Sequence, residues 1–158
     1  MRLTSKQLAA LKIKRGESPV EREADLHNLI ADELRRRWSF NGRVHWRGVL
    51  TREALLDEYL SQDVFVLPTR FEGFPVALIE AMGSALVPVV SAIPSGVPEI
   101  VIRANGITPP VGDVEGFADG LAALARDRSR LEAMSGEARR TVVERFDIEQ
   151  CVRAYQAL

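Results

Sequence analysis

Val64-Phe65-Val66-Leu67-Pro68-Thr69-Arg70-Phe71-Glu72-Gly73-Phe74-Pro75-Val76-Ala77-Leu78-Ile79-Glu80-Ala81-Met82 is the stretch on which the fold turns. Val64 to Leu67 is a short continuous apolar run, the pattern of a strand covered on both faces. Pro75 pre-sets the first turn of a helix, expected from about Pro75 to Ser84. Between them, Gly73 gives the backbone torsions barred to other residues and lets a ligand approach closely. The free amides at the helix start, together with the helix dipole, favour an anion. Glu72 lies before the helix, so its carboxylate can face the crevice and accept hydrogen bonds from hydroxyl groups. Glu80 lies inside the helix, roughly 7–9 Å along its axis at about 1.5 Å per residue. The plain alternative is two exposed glutamates, Glu72 aiding the dipole and Glu80 solvated.

Outward from that stretch, strand and helix patterns alternate. Residues 1–18 show no convincing period and read as a loose arm or remnant strand ending at Gly16-Glu17-Ser18. A helix follows from Pro19, with Leu26, Ile30 and Leu34 on one face and Arg35-Arg36-Arg37 at its end. Asn41-Gly42 is a turn, and residues 43–48 alternate like a short strand. Thr51 and Glu53 start a helix carrying Leu55, Leu56 and Tyr59. Downstream, Val87-Pro88-Val89-Val90-Ser91 returns as a strand with Pro88 near its start, where a missing donor costs least. Ser95-Gly96-Val97-Pro98-Glu99-Ile100 opens a short helix, with Glu99 aiding its dipole. Asn105 to Pro110 is a last strand or extended turn. Asp113 caps a helix with Phe117, Leu121 and Leu124, and amphipathic helices follow near 128–144 and 147–157.

This alternation implies an α/β fold with three layers, a parallel sheet between helices, Rossmann-like in plan. Such sheets bind ligands outside the carboxyl ends of their strands. Glu72 and Gly96 both fall at such ends. The chain has 158 residues, 46% hydrophobic and 27% charged, which suits one globular domain. A net charge of −1 and the lack of a long basic run argue against a nucleic-acid partner. One cysteine, Cys151, excludes an internal disulfide framework and fits a reducing cytosol. No stretch has the length of a membrane span. His45 and His27 have no partners at metal spacing, Cys151 has no nearby histidine, and no Walker loop or nucleophile elbow occurs.

Glu72-Gly73-Phe74-Pro75 with Ile79-Glu80-Ala81-Met82, then Val87 to Ser91, Ser95 to Val101 and Asn105-Gly106, resembles the retaining glycosyltransferases of family 4. More narrowly, it is similar to the C-terminal, donor-binding domain of the GT-B fold, from about Arg43 to the C-terminus and more weakly from Glu17. The resemblance makes residues 19–158 a nucleotide-sugar-binding Rossmann-like domain. It implies that Glu72 binds donor-sugar hydroxyls, with Gly73 and Phe74 offering amides to the sugar or diphosphate. Glu80 would bind the nucleotide ribose, and Ser95 and Gly96 would line the site near the diphosphate. The implied reaction is retaining transfer of a sugar from a UDP- or GDP-sugar to an acceptor in glycan or polysaccharide synthesis, with no metal and no cofactor.

The sequence departs from that family in three places. Ala85 stands where the family commonly has glycine. The family's opening strand, Gly-Arg loop and basic diphosphate clamp are not visible, although Lys12, Lys14 and Arg15 before Gly16-Glu17-Ser18-Pro19 faintly resemble its second strand and loop. The acceptor-binding N-terminal domain is also missing, so it is expected on a missing segment or another chain. No catalytic residue is therefore assigned to the chain in isolation. The implied location is cytoplasmic, with the inner membrane face reached peripherally through the missing part. A truncated, non-catalytic nucleotide-sugar-binding module is the alternative, and a GT-B-like epimerase is a weaker third.

Overall fold

The computed structural model describes residues 44–45 and 47–157. The chain divides into two compact units, residues 1–53 and 54–158, and the second holds the sheet. The expected arm, the helix from Pro19, the Asn41-Gly42 turn, the basic residues near Lys14 and His27 lie outside the described residues. In the first unit, the strand expected over 43–48 is absent at its described positions. Gly48 takes a left-handed φ of 66°, which turns the chain out of extended geometry, and Val44 is exposed.

Helix α1 (Arg52–Leu60) begins where Thr51 and Glu53 predict. The Glu53 carboxyl accepts a bond from a backbone N–H and another from Thr51, which hold it below the ordinary carboxylate range. Strand β1 (Val64–Leu67) pairs in parallel with β2 (Val87–Val90), Val64 opposite Val87 and Leu67 opposite Val90. Ile107 extends the sheet beyond β2 by a parallel bridge to Val89. There Val90 N donates to Ile107 O at 3.0 Å and Ile107 N to Pro88 O at 2.9 Å. A strand residue's N–H and C=O point the same way, so Pro88 turns its missing donor toward this short bridge and not toward β1.

Helices cover both faces of the sheet, giving the expected three layers. On one face, Phe65, Leu67 and Val90 pack with Leu78 and Met82 of α2 (Val76–Gly83) and with Val97 and Ile100 of α3 (Val97–Ile100). On the other, Val64, Val87 and Val89 pack with Phe117 and Leu124 of α4 (Val114–Arg126). Helix α5 (Arg128–Arg145) serves both, with Leu131 and Met134 on the second face and Ala138 on the first. Helix α6 (Ile148–Gln156) ends the described chain. Asp113, Asp127 and Asp147 each accept a first-turn amide at 2.9 Å, which is why α4, α5 and α6 begin where they do. Coverage of β1 is less complete than its apolar run predicts. Val66 is 43% exposed, beside a cavity of about 380 Å³ reaching Pro68, Val114 and Phe117.

The end of α2 is a Schellman motif. Leu86 N donates to Ala81 O at 3.0 Å and Ala85 N to Met82 O at 2.9 Å, while Ala81 and Leu86 share a buried cluster. The residue that must turn left-handed is Ala85, with a φ of 68°. An L side chain there is strained by about 1 kcal/mol relative to glycine. Ala85→Gly is therefore expected to stabilise the chain by about 1 kcal/mol, raising Tm by roughly 3 °C in thermal unfolding. An unchanged or lower Tm overturns the strain argument.

Candidate functional site

The carboxyl ends of β1 and β2 each run into a loop and then a helix N-terminus, as the alternation of patterns requires. The first loop is pinned by Thr69. Its hydroxyl donates to Phe71 O at 2.9 Å and accepts from Phe71 N at 3.3 Å, which fixes the backbone just before Glu72. Glu72 is half-buried and Gly73 exposed. The left-handed torsion expected of Gly73 does not occur, because the loop reaches the helix without needing it. What Gly73 does provide is room, since a Cβ there meets nothing within 4 Å. The amides of Gly73 and Phe74 find no acceptor among the described residues.

Pro75 is the N-cap of α2 and contributes no side-chain cap, so the first-turn amides of Val76 and Ala77 have no intrahelical acceptor. Glu80 follows on α2, half-buried, its carbonyl accepting both the amide and the hydroxyl of Ser84. Glu72, Gly73, Phe74 and Glu80 thus lie along the loop and first turns of a single helix.

The second loop docks directly on the first. Gly96 N donates to Gly73 O at 3.3 Å, and the Phe74 ring lies against the bare Gly96 Cα. A Cβ at Gly96 meets Phe74 Cδ2 at 2.6 Å, so only glycine permits this approach. Ser95 N is also engaged, donating to Ile93 O at 2.9 Å. Both amides of the expected diphosphate loop are thereby satisfied inside the protein. The Ser95 hydroxyl, which accepts weakly from Val97 N at 3.5 Å, keeps its proton to donate. Glu99 is exposed in the first turn of α3, as its dipole role requires.

Three residues at the site carried no signal of function in the sequence. Thr69 sets the loop, Phe146 meets the Phe74 ring at 6.0 Å, and Tyr59 is buried against Ala81, the neighbour of Glu80. Tyr59 read as part of a helical apolar face, and nothing in sequence spacing links Phe146 to Phe74. Among the described residues no group of three or more His, Cys, Asp or Glu side chains is placed to hold a metal. No described helix is long and apolar enough to cross a membrane.

A parallel sheet with carboxylates and free amides gathered at its carboxyl rim defines a Rossmann-like α/β domain, here of the GT-B kind. Residues 13–127 match the family described as glycosyl transferases group 1. The chain belongs to that family. It is 36% identical over 104 residues to the sulfoquinovosyl transferase SQD2 of Arabidopsis thaliana, covering 63% of this chain and 20% of that protein. It is 35% identical over 105 residues to the lipopolysaccharide core biosynthesis mannosyltransferase LpsB of Rhizobium meliloti, covering 65% and 30%. Among solved structures, the sucrose-phosphate synthase of Thermosynechococcus elongatus superposes with a TM-score of 0.73 at 23% identity, over 91% of this chain and 36% of that one. The C-terminal domain of a group 1 glycosyl transferase, LpcC of Francisella tularensis, gives 0.66 at 19% identity, over 83% and 66%. The chain spans 20% to 30% of the length of these curated relatives.

Proposed function

We propose that this chain is the donor-binding half of a retaining glycosyltransferase of family 4, holding a UDP- or GDP-sugar for transfer in glycan or polysaccharide synthesis. The observation that carries the reading is the docking of the two rim loops through Gly96 N–H and Gly73 O. It brings the loop of Glu72, Gly73 and Phe74 against the loop of Ser95 and Gly96, which supports one shared ligand site at that rim. In this reading Glu72 accepts hydrogen bonds from donor-sugar hydroxyls. The Gly73 and Phe74 amides, with the first turn of α2, receive the sugar or diphosphate, where amide donors and the helix dipole favour negative charge. Ser95 donates its hydroxyl to the diphosphate, while Gly96 holds the two loops together. Glu80 accepts the ribose hydroxyls.

Catalysis in this reading is positioning and stabilisation of a diphosphate leaving group, supplied without a metal. The acceptor site, and turnover with it, belongs to an acceptor-binding domain on a missing segment or another chain, through which the assembly meets the inner membrane face from the cytoplasm. The alternative reading is a module that binds the nucleotide sugar without turnover.

Calorimetry of the full chain with UDP- and GDP-sugars tests the site. Glu72→Ala and Glu80→Ala are each expected to weaken binding about tenfold, the loss of charge-assisted hydrogen bonds worth about 1.5–3 kcal/mol. Glu72→Ala should affect the nucleotide sugar and spare the free nucleotide, whereas Glu80→Ala should weaken both. Unaltered binding in either variant removes that residue from the site. Adding an acceptor-binding partner and following the anomeric signal of the product by NMR separates the transferase from the silent module, and an inverted product sinks the retaining assignment.

A further inference from the structure

The geometry points to a second ligand site, for a small amphipathic carboxylate, on the face of the sheet opposite α2; it goes beyond the donor-site reading and does not depend on it. The site is the cavity of about 380 Å³ bounded by Val66 and Pro68 on one side and by Val114 and Phe117 on the other, with Arg70 among its lining groups. That volume falls in the range of about 300–1,000 Å³ that small-molecule pockets occupy. Its position follows from the alternation along β1. Val64 packs on the Phe117 face, and Phe65 and Leu67 on the α2 face, so Val66 and Pro68 return to the Phe117 face. Phe117 is buried there, while Val66 and Val114 stay exposed, which leaves two apolar walls without filling between them.

The walls favour a hydrocarbon group, and the charges at the cavity decide what that group carries. Two charged residues line it, Arg70 and Asp113. Asp113 is committed to α4, its carboxylate accepting from Gly116 N at 2.9 Å. Arg70 forms no hydrogen bond or ion pair with a described residue, so its guanidinium is the charge left for a ligand. A guanidinium matches a carboxylate with two parallel donors. Gly112, also at the cavity, brings no side chain across it. An apolar body with one carboxylate therefore uses both the walls and the arginine, whereas a neutral chain uses the walls alone.

Octanoate, ionised at pH 7, and neutral octanol are the probes, titrated into the full chain at low salt and followed by NMR of the valine methyl groups. Octanoate should shift the Val66 and Val114 methyls in a saturable way and leave the buried Val90 methyls unmoved. Val66→Phe fills the cavity from the strand side and should abolish binding of both probes. Val114→Phe fills it from an exposed position on α4 and keeps the test open should Val66→Phe fail to fold. Arg70→Gln should weaken octanoate roughly fivefold, the most an exposed ion pair supplies, and leave octanol unchanged. Shifts that do not saturate, that spread over the surface, or that persist in the filled variants overturn the site. If Arg70→Gln weakens both probes equally, or neither, the carboxylate assignment is overturned. None of these outcomes bears on nucleotide-sugar binding, so the donor-site reading stands or falls separately.

Discussion

Asn105→Ala is expected to destabilise the chain by about 4 kcal/mol, lowering Tm by roughly 10 °C or more. The side chain is completely buried and makes three hydrogen bonds. It accepts from Ile102 N at 2.8 Å and donates to Ile100 O at 3.1 Å and to Thr141 Oγ1 at 3.1 Å. Truncation leaves the part-buried Ile102 amide and the buried Ile100 carbonyl without partners, together costing about 2–4 kcal/mol, and opens a small void as well. Thr141 suffers less, because its hydroxyl still donates to Glu137 O. Thr141→Val removes two bonds, to Asn105 and to Glu137 O, but leaves only one buried Asn105 N–H without an acceptor, so it should cost less, about 2 kcal/mol. Urea unfolding of the two variants side by side checks the order. A loss below about 1 kcal/mol for Asn105→Ala means that water repairs the site and the bonds matter little.

Gly96→Ala should do more to binding than to stability. The new Cβ collides with the Phe74 ring, which is 51% exposed and can swing toward solvent. Relief of the clash is therefore cheap, about 1 kcal/mol in unfolding. Its consequence at the rim is larger, because the ring's departure separates the loops and breaks the Gly96-to-Gly73 bond. The Gly73 and Phe74 amides then lose their fixed aim, and affinity for a nucleotide sugar should fall at least tenfold, since displacements near 1 Å have effects of that size. The pairing with Phe74→Leu makes the argument specific. In the double variant the smaller side chain accommodates the Cβ, and part of the affinity should return. If Gly96→Ala binds normally, or the double variant only compounds the loss, the docked-loop account is wrong.

The parts of the fold legible in the sequence are those set by local physics. An unbroken apolar run marks β1, Pro75 marks the start of α2, Asp113 marks the start of α4, and amphipathic patterns mark α5 and α6, all within a residue or two of the observed bounds. The strand expected near His45 shows the limit of alternation, because period two over six residues arises readily without a partner to pair with. Gly73 and Ala85 show a second limit. A glycine suggests a left-handed torsion and an alanine does not, yet the demand falls on Ala85, where Ala81 and Leu86 close the end of α2. Resemblance had flagged that position as one where glycine is usual, and the torsion supplies the reason. The site's ligand groups cluster in one stretch and were readable for that cause. Phe146 and the Gly96 contact were not, because each meets Phe74 only through folding. Asn105 read as the start of a last strand or extended turn, and its bond to Thr141 spans 36 positions of sequence.

Helix α5 has a consequence for where this domain can be cut. The family match ends at residue 127, and every group assigned to the ligand lies inside it. Yet Phe146 backs the Phe74 ring, Thr141 receives the buried Asn105 amide, and Ser135 donates to the carbonyl of strained Ala85 at 2.7 Å. Trimming the chain to its recognisable span keeps each residue that would touch a nucleotide sugar and removes what holds those residues in place. The heritable signature and the cooperative folding unit have different borders here. Sequence drift in the unmatched tail is therefore a route by which relatives can retune the donor loop without altering a single ligand-contacting residue.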